Sequence, residues 1–347
     1  MSREVVEVCS FIRTDLGRLD DYVNSVSFSH DGQLIASASA SGVVGVHTID
    51  GECDQFRAHQ ADVSRVAFSP TAAEFATGGL DGHVRIWSGP RNLVSEVAGK
   101  GWCNDIAWRR SGGEVAAALG KSVVRALSSG LAAAKHDELG AVAECVAWSS
   151  CGRKLFVGAY GGVWMFQGAE RAIKHFPWKG SPLTLRISPD DKWIATGNQD
   201  ASLHCWKIAS GLDLQMTGFE SKVQHIAWNE KSVHLANASF NVISLWDFSG
   251  RGPSGSRPKE LISHTGRIVA LDYLPTHPHL LVSAATDGGV CVWQPQRSGS
   301  SPVARFDTGL SLSAMALSPC STSLAVGSND GDLLHLSLDG PLFQQVD

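Results

Sequence analysis

Residues 59–87 read HQADVSRVAFSPTAAEFATGGLDGHVRIW, and residues 264–293 read HTGRIVALDYLPTHPHLLVSAATDGGVCVW. Each begins on a histidine and places an aliphatic residue two positions before a bulky one, Val66 and Phe68 in the first and Leu271 and Tyr273 in the second. A turn follows, then a second apolar run (Phe75-Ala76-Thr77; Leu281-Val282-Ser283-Ala284), a glycine-containing turn with an aspartate, and a third run ending in tryptophan. Short alternating segments punctuated by Gly, Pro, Asp and Ser are strands and tight turns. The pattern therefore predicts consecutive antiparallel strands.

The same bulky position recurs along the whole chain at Phe28, Phe68, Trp108, Trp148, Ile187, Trp228, Tyr273 and Leu317, with gaps of 40, 40, 40, 39, 41, 45 and 44 residues. Two places before each stands Val26, Val66, Ile106, Val146, Leu185, Ile226, Leu271 or Met315. The residue between is small in six copies (Ser27, Ala67, Ala107, Ala147, Ala227, Ala316), which suits strands packed closely on a neighbour, while Arg186 and Asp272 break the rule. A fourth, looser strand fits each connection, as in Leu93-Val94-Ser95-Glu96-Val97. Four short strands per period of about 40 to 45 residues is the spacing of a propeller blade. The predicted fold is all-β: one closed β-propeller of four-stranded antiparallel blades spanning residues 1–347, with eight blades. Seven is the alternative, if the third repeat (Asn104 to Leu127) or the eighth does something else.

The eighth repeat lacks an outer strand, and the segment Val5-Val6-Glu7-Val8-Cys9-Ser10-Phe11 reads as a strand without a partner. Its pairing with the last blade would close the ring and leave no open sheet edge.

Four positions make the repeat resemble the WD-repeat family: a His before the first strand, a Ser or Thr in the second, an Asp in the next turn and a Trp in the third. Two repeats carry all four, His59, Thr77, Asp81, Trp87 and His264, Ser283, Asp287, Trp293. A third has Thr196, Asp200 and Trp206 but Trp178 in place of the His, only Trp246-Asp247 keeps the family's dipeptide, and His47, Leu127, Phe166 and Leu336 replace the tryptophan elsewhere. The set predicts a polar network in which imidazole donates to Asp and the hydroxyl serves the indole N–H, a scaffold role.

No catalytic constellation stands out. Gly120-Lys121-Ser122 resembles the end of a phosphate-binding loop, yet Val115 stands where its first glycine belongs and the segment lies between strands. His277-Pro278-His279 is predicted to lie in a turn, without the three or four ligands that zinc needs. Cys103 and Cys145 read as buried filling, and Asn237-Ala238-Ser239 is only a formal sequon. No cofactor and no metal are expected. The eight cysteines are scattered singly, Met1 to Leu16 is too charged for a secretory signal, and no apolar run could span a bilayer, so a cytoplasmic protein without membrane contact is expected. A net charge of −5 disfavours nucleic acid.

What remains is a non-catalytic scaffold or adaptor that docks proteins or peptides. The alternatives are an enzyme with its site in the central channel, or a metal-handling accessory protein, the latter on the His and Cys count alone. In the resembled family, loops entering the first strand and linking the second to the third share one face where partners commonly bind. Carried over by position, these loops present Tyr22, Trp102, Lys222 and Arg267, and Tyr160 and Phe240. Tyr, Trp and Arg dominate binding energy at protein interfaces. The competing reading has the aromatics turn inward and plug the ring.

Overall fold

The computed structural model describes residues 10–129, 136–167, 172–250, 252–297 and 299–343. Eight four-stranded antiparallel sheets are present, and no helix among the described residues. Blade 1 comprises Val23–Phe28, Leu34–Ser39, Val43–Thr48 and Cys53–Arg57, hydrogen-bonded in that order. The inner strands of blades 2 to 8 are Val63–Phe68, Cys103–Trp108, Ala143–Trp148, Pro182–Ile187, Val223–Trp228, Ile268–Leu274 and Leu312–Leu317. Every bulky position of the repeat falls at or beside the end of one of them. Each inner strand packs on the next, and that of blade 8 packs on that of blade 1, so the circuit is closed. The cores lie between neighbouring sheets; one joins Phe56 of blade 1 to Trp87 and Phe75 of blade 2.

The ring closes on an N-terminal strand, as expected, but that strand runs further along the chain. Blade 8 (Leu312–Leu317, Ser323–Ser328, Asp332–Asp339) takes its outer strand from Ser10–Arg18, in register from Ser10 opposite Asp339 to Arg18 opposite Asp332. The predicted segment began at Val5; residues 5–9 lie outside the described residues, and the strand runs seven residues beyond Phe11. Burial decides the register. Leu16 is fully buried, and the ring of Phe11 stacks on Phe306 of blade 7 with centroids 5.3 Å apart.

Both full sets form a relay. His59 Nδ1 meets Asp81 at 2.8 Å, His59 Nε2 meets the Thr77 hydroxyl at 2.7 Å, and Trp87 donates to that hydroxyl at 3.0 Å. In blade 7 the matching distances for His264, Asp287, Ser283 and Trp293 are 3.3, 2.7 and 2.8 Å. Asp must accept, so Nδ1 carries the proton, the hydroxyl donates to Nε2, and the indole donates to the hydroxyl. Burial lowers the pKa of both imidazoles and keeps them neutral.

The incomplete set in blade 5 does not form this relay. Trp178 stands edge-on to His204, which stacks on Trp206 with centroids 4.2 Å apart. The Thr196 hydroxyl turns to the His204 carbonyl at 3.4 Å, and Asp200 accepts from Ser202. An aromatic stack replaces the polar chain. In blade 6 Asn237 stands in for the hydroxyl residue and accepts from Trp246 at 2.9 Å, which also buries the formal sequon. In blade 3 the residue opposite Val115, equivalent to Trp87 opposite Phe75, is Ala126 and not Leu127. The turn at Gly120-Lys121 is one residue shorter than in blade 2, so the sequence count overshoots. Where the tryptophan gives way to Ala126, Phe166 or Leu336, the hydroxyl position is also apolar (Ala117, Val157, Val326), and no buried polar group is stranded there.

In blade 1 the position is His47, whose Nε2 meets Ser37 at 2.9 Å and whose Nδ1 meets the Leu16 carbonyl at 3.1 Å. It thus ties blade 1 to the closing strand. Burial pushes its pKa down to about 4. A folded-state pKa below the unfolded value means that protonation favours unfolding. Stability is therefore full above about pH 6.5 and is lost as pH falls toward 4, by roughly 2–3 kcal/mol from this residue. Urea titrations at pH 7.5 and 5 should show that loss, and His47→Gln, less stable at pH 7.5, should show a smaller difference between the two.

His277-Pro278-His279 also departs from expectation. It opens a paired strand, His277–Ala285, instead of forming a turn, with His277 buried beside Phe343. No group of three His, Cys, Asp or Glu side chains could hold a metal ion among the described residues. Cys103 and Cys145 are buried free thiols; the Cys103 Sγ fills the space above Gly78, and burial pushes its pKa up to about 12. No helix of the described residues is long and apolar enough to cross a membrane.

Candidate functional site

In each blade the first strand starts, and the second and third are joined, at the same end of the ring. The relays pin this face: Asp81 accepts from the backbone of Gln60 at 3.1 Å, and Asp287 from that of Thr265 at 2.8 Å, each linking a turn to the loop entering its own blade. Burial opposes ionisation of these aspartates, yet hydrogen bonds from the histidine and the loop amides hold both carboxyls well below the usual range. The loops thus form a rigid rim in blades 2 and 7.

Five of the six proposed binding residues fall into two groups, and Tyr22 stands apart. Trp102 and Tyr160 are each 64% exposed. Trp102 lies in the loop entering blade 3; its carbonyl accepts from Gly120, whose own carbonyl accepts from Ala143 in blade 4. Val142, also exposed, and Tyr160, in the turn after Ala159 opposite Ala143, continue this line. The second group stands across blades 6 and 7. Phe240 is 42% exposed and shares a small, mostly apolar cavity of about 110 Å3 with Lys222, Arg267, Ala238 and Ile268. Tyr22 is half-buried at the channel, apart from the other aromatics.

The channel holds a polar cavity of about 450 Å3 lined by Tyr22, Arg65, Asp105, Arg186, His225, Arg267 and Asp272. The two exceptions to the small-residue rule, Arg186 and Asp272, point here. Arg65 pairs with Asp105 at 3.3 Å. Enclosure and then the nearby Arg186, Arg65 and Arg267 lower the His225 pKa and keep the ring neutral. Enclosure raises the Asp272 carboxyl, and Arg186 opposes it. Arg267 makes no side-chain hydrogen bond or ion pair among the described residues.

Phe240 has a feature that residue types alone do not reveal. Its φ is +50°, and of the six described non-glycine residues with positive φ it is the only aromatic one. Gly120, at the same place in blade 3 and with φ +56°, shows what such a turn calls for. Tyr160 holds the equivalent place in blade 4 without a positive φ, so residue type at this position does not by itself reveal the turn.

The chain matches the family described as WD domain, G-beta repeat, at residues 10–47, 51–88, 173–207 and 255–294. It is 31% identical over 163 residues, 42% of its length, to the WD repeat and HMG-box DNA-binding protein 1 of Xenopus laevis, of which the match covers 14%. To the WD repeat-containing protein slp1 of Schizosaccharomyces pombe it is 21% identical over 79% of the chain and 50% of that protein. The chain thus spans half or less of the length of these relatives. The crystal structure of the computationally designed Ika8 protein superposes with a TM-score of 0.77 at 17% identity, covering 93% of this chain and 98% of that one. That likeness concerns the fold.

Proposed function

Because the chain belongs to the WD-repeat β-propellers, we propose that it is a non-catalytic scaffold that docks partner proteins or peptides on the face carrying Trp102, Tyr160, Lys222, Phe240 and Arg267. The observation that carries this reading is the exposure of three large aromatic side chains on one face of the ring. Aromatic surface left in water is what a partner gains by covering. The scattered, unpaired and mostly buried thiols support a cytoplasmic setting.

The test is a triple variant, Trp102→Ala, Tyr160→Ala and Phe240→Ala. Used as bait in the native host and read by mass spectrometry, it should lose the partners that the unaltered chain retains, with Tm unchanged within about 2 °C, since exposed side chains contribute little to stability. Retention of every partner would overturn the docking face. A fall of 8 °C or so would instead assign the aromatics to packing.

A further inference from the structure

Bulky residues adopt positive φ at a cost of about 1–3 kcal/mol, and such strain persists where something other than stability maintains it. Phe240 carries this strain while its side chain remains 42% exposed. Its turn is held firmly: the Phe240 carbonyl accepts from Ile268 at 2.7 Å, and Asn241 donates to the His264 carbonyl at 3.1 Å. The ring is therefore fixed beside the 110 Å3 cavity, whose size suits one aliphatic side chain.

The two charged side chains that line this cavity, Lys222 and Arg267, are both cationic. Gln224, His225 and Arg267 line both it and the channel cavity, so the two adjoin, and Arg186 lies on the channel side. Arg186 bonds only to its own neighbour's carbonyl, and neither Lys222 nor Arg267 has a side-chain partner among the described residues. The facing acids are Asp272 in the channel wall and Glu220 in the loop entering blade 6. Two cations without ion-pair partners thus line the apolar socket, and a third, Arg186, stands in the adjoining channel.

Resting on the docking reading above, we infer that the rim of blades 6 and 7 recognises a short acidic peptide segment, seating one aliphatic side chain against Phe240 and an adjacent carboxylate on Arg267 and Arg186. Charge complementarity selects the acidic partner. A socket the size of one aliphatic side chain favours a peptide over a nucleobase.

The experiment is a random-peptide display selection against the full chain, run in parallel on Phe240→Gly, Arg267→Glu and Trp102→Ala. Phe240→Gly reproduces the turn of Gly120, so its Tm should be unchanged or higher. The unaltered chain should enrich peptides with Asp or Glu next to Leu, Ile or Val. A synthetic peptide of that consensus should bind Phe240→Gly and Arg267→Glu at least tenfold more weakly and Trp102→Ala equally well. A basic or neutral consensus, affinity unchanged in Phe240→Gly, or a Tm several degrees lower in that variant would overturn the inference, as would a labelled single-stranded oligonucleotide binding through these residues in preference to peptide. Peptides that depend on Trp102 and not on Phe240 would sink this inference and leave the docking reading intact. Failure to enrich any peptide, with native partners still captured, would do the same.

Discussion

A chain lacking residues 1–18 should melt about 5 °C or more below the full protein and associate as it is concentrated. The removed strand buries Leu16, worth about 2 kcal/mol, and supplies a ladder of seven paired positions to Asp332–Asp339. With a net gain of a few tenths to 1 kcal/mol per hydrogen bond, the total is on the order of 4 kcal/mol or more. The loss extends to blade 1, because His47 forfeits the Leu16 carbonyl. The exposed edge of Asp332–Asp339 would then offer unpaired N–H and C=O groups to any other strand. Differential scanning calorimetry and size-exclusion chromatography read both effects. An unchanged Tm and a monomeric profile would show that the strand adds nothing to closure.

The second large effect comes from a change of almost no volume. Thr77→Val removes one hydroxyl and strands two buried groups, His59 Nε2 and the Trp87 indole N–H. Each orphaned group costs about 1–3 kcal/mol, so a loss of about 2–5 kcal/mol is expected by urea denaturation. Trp87→Phe in the same background should then cost less than it does alone, since the indole has already lost its acceptor. Thr196→Val is the control. Its hydroxyl, equally buried, makes only a 3.4 Å bond to a carbonyl, so the change should cost under about 1 kcal/mol. Equal losses at Thr77 and Thr196 would contradict the relay described for blades 2 and 7.

These two threonines mark where sequence reading succeeds and where it stops. The eight inner strands were legible because Val26 to Phe28 and its seven counterparts must alternate toward a core at a fixed place in each repeat. The relays of His59 and His264 were legible because four specific side chains have one satisfactory arrangement. Blade 5 was misread because Thr196, Asp200 and Trp206 were counted as a partial relay, while the residue that reorganises them, His204, belongs to no repeat position. The closing strand was read as ending at Phe11, yet it runs on to Arg18, because the pairing with Asp332–Asp339 that fixes its length leaves little mark in residue type. Leu127 was chosen over Ala126 because a shorter turn leaves no mark in residue type. At the site, Trp102, Tyr160 and Phe240 could be found by position, but whether they faced water depended on the packing of neighbouring loops. The φ of Phe240 is a backbone property that residue type does not show, since Tyr160 occupies the equivalent place in blade 4 without it.

The seam has a mechanical side. Ser10 lies opposite Asp339 at one end of an antiparallel pair, so a force pulling these two residues apart peels the ladder one rung at a time instead of loading all rungs together. A ring that resists heat through cooperative burial would therefore yield to modest tension at this point, much as a zip opens from its slider while the cloth on either side stays whole.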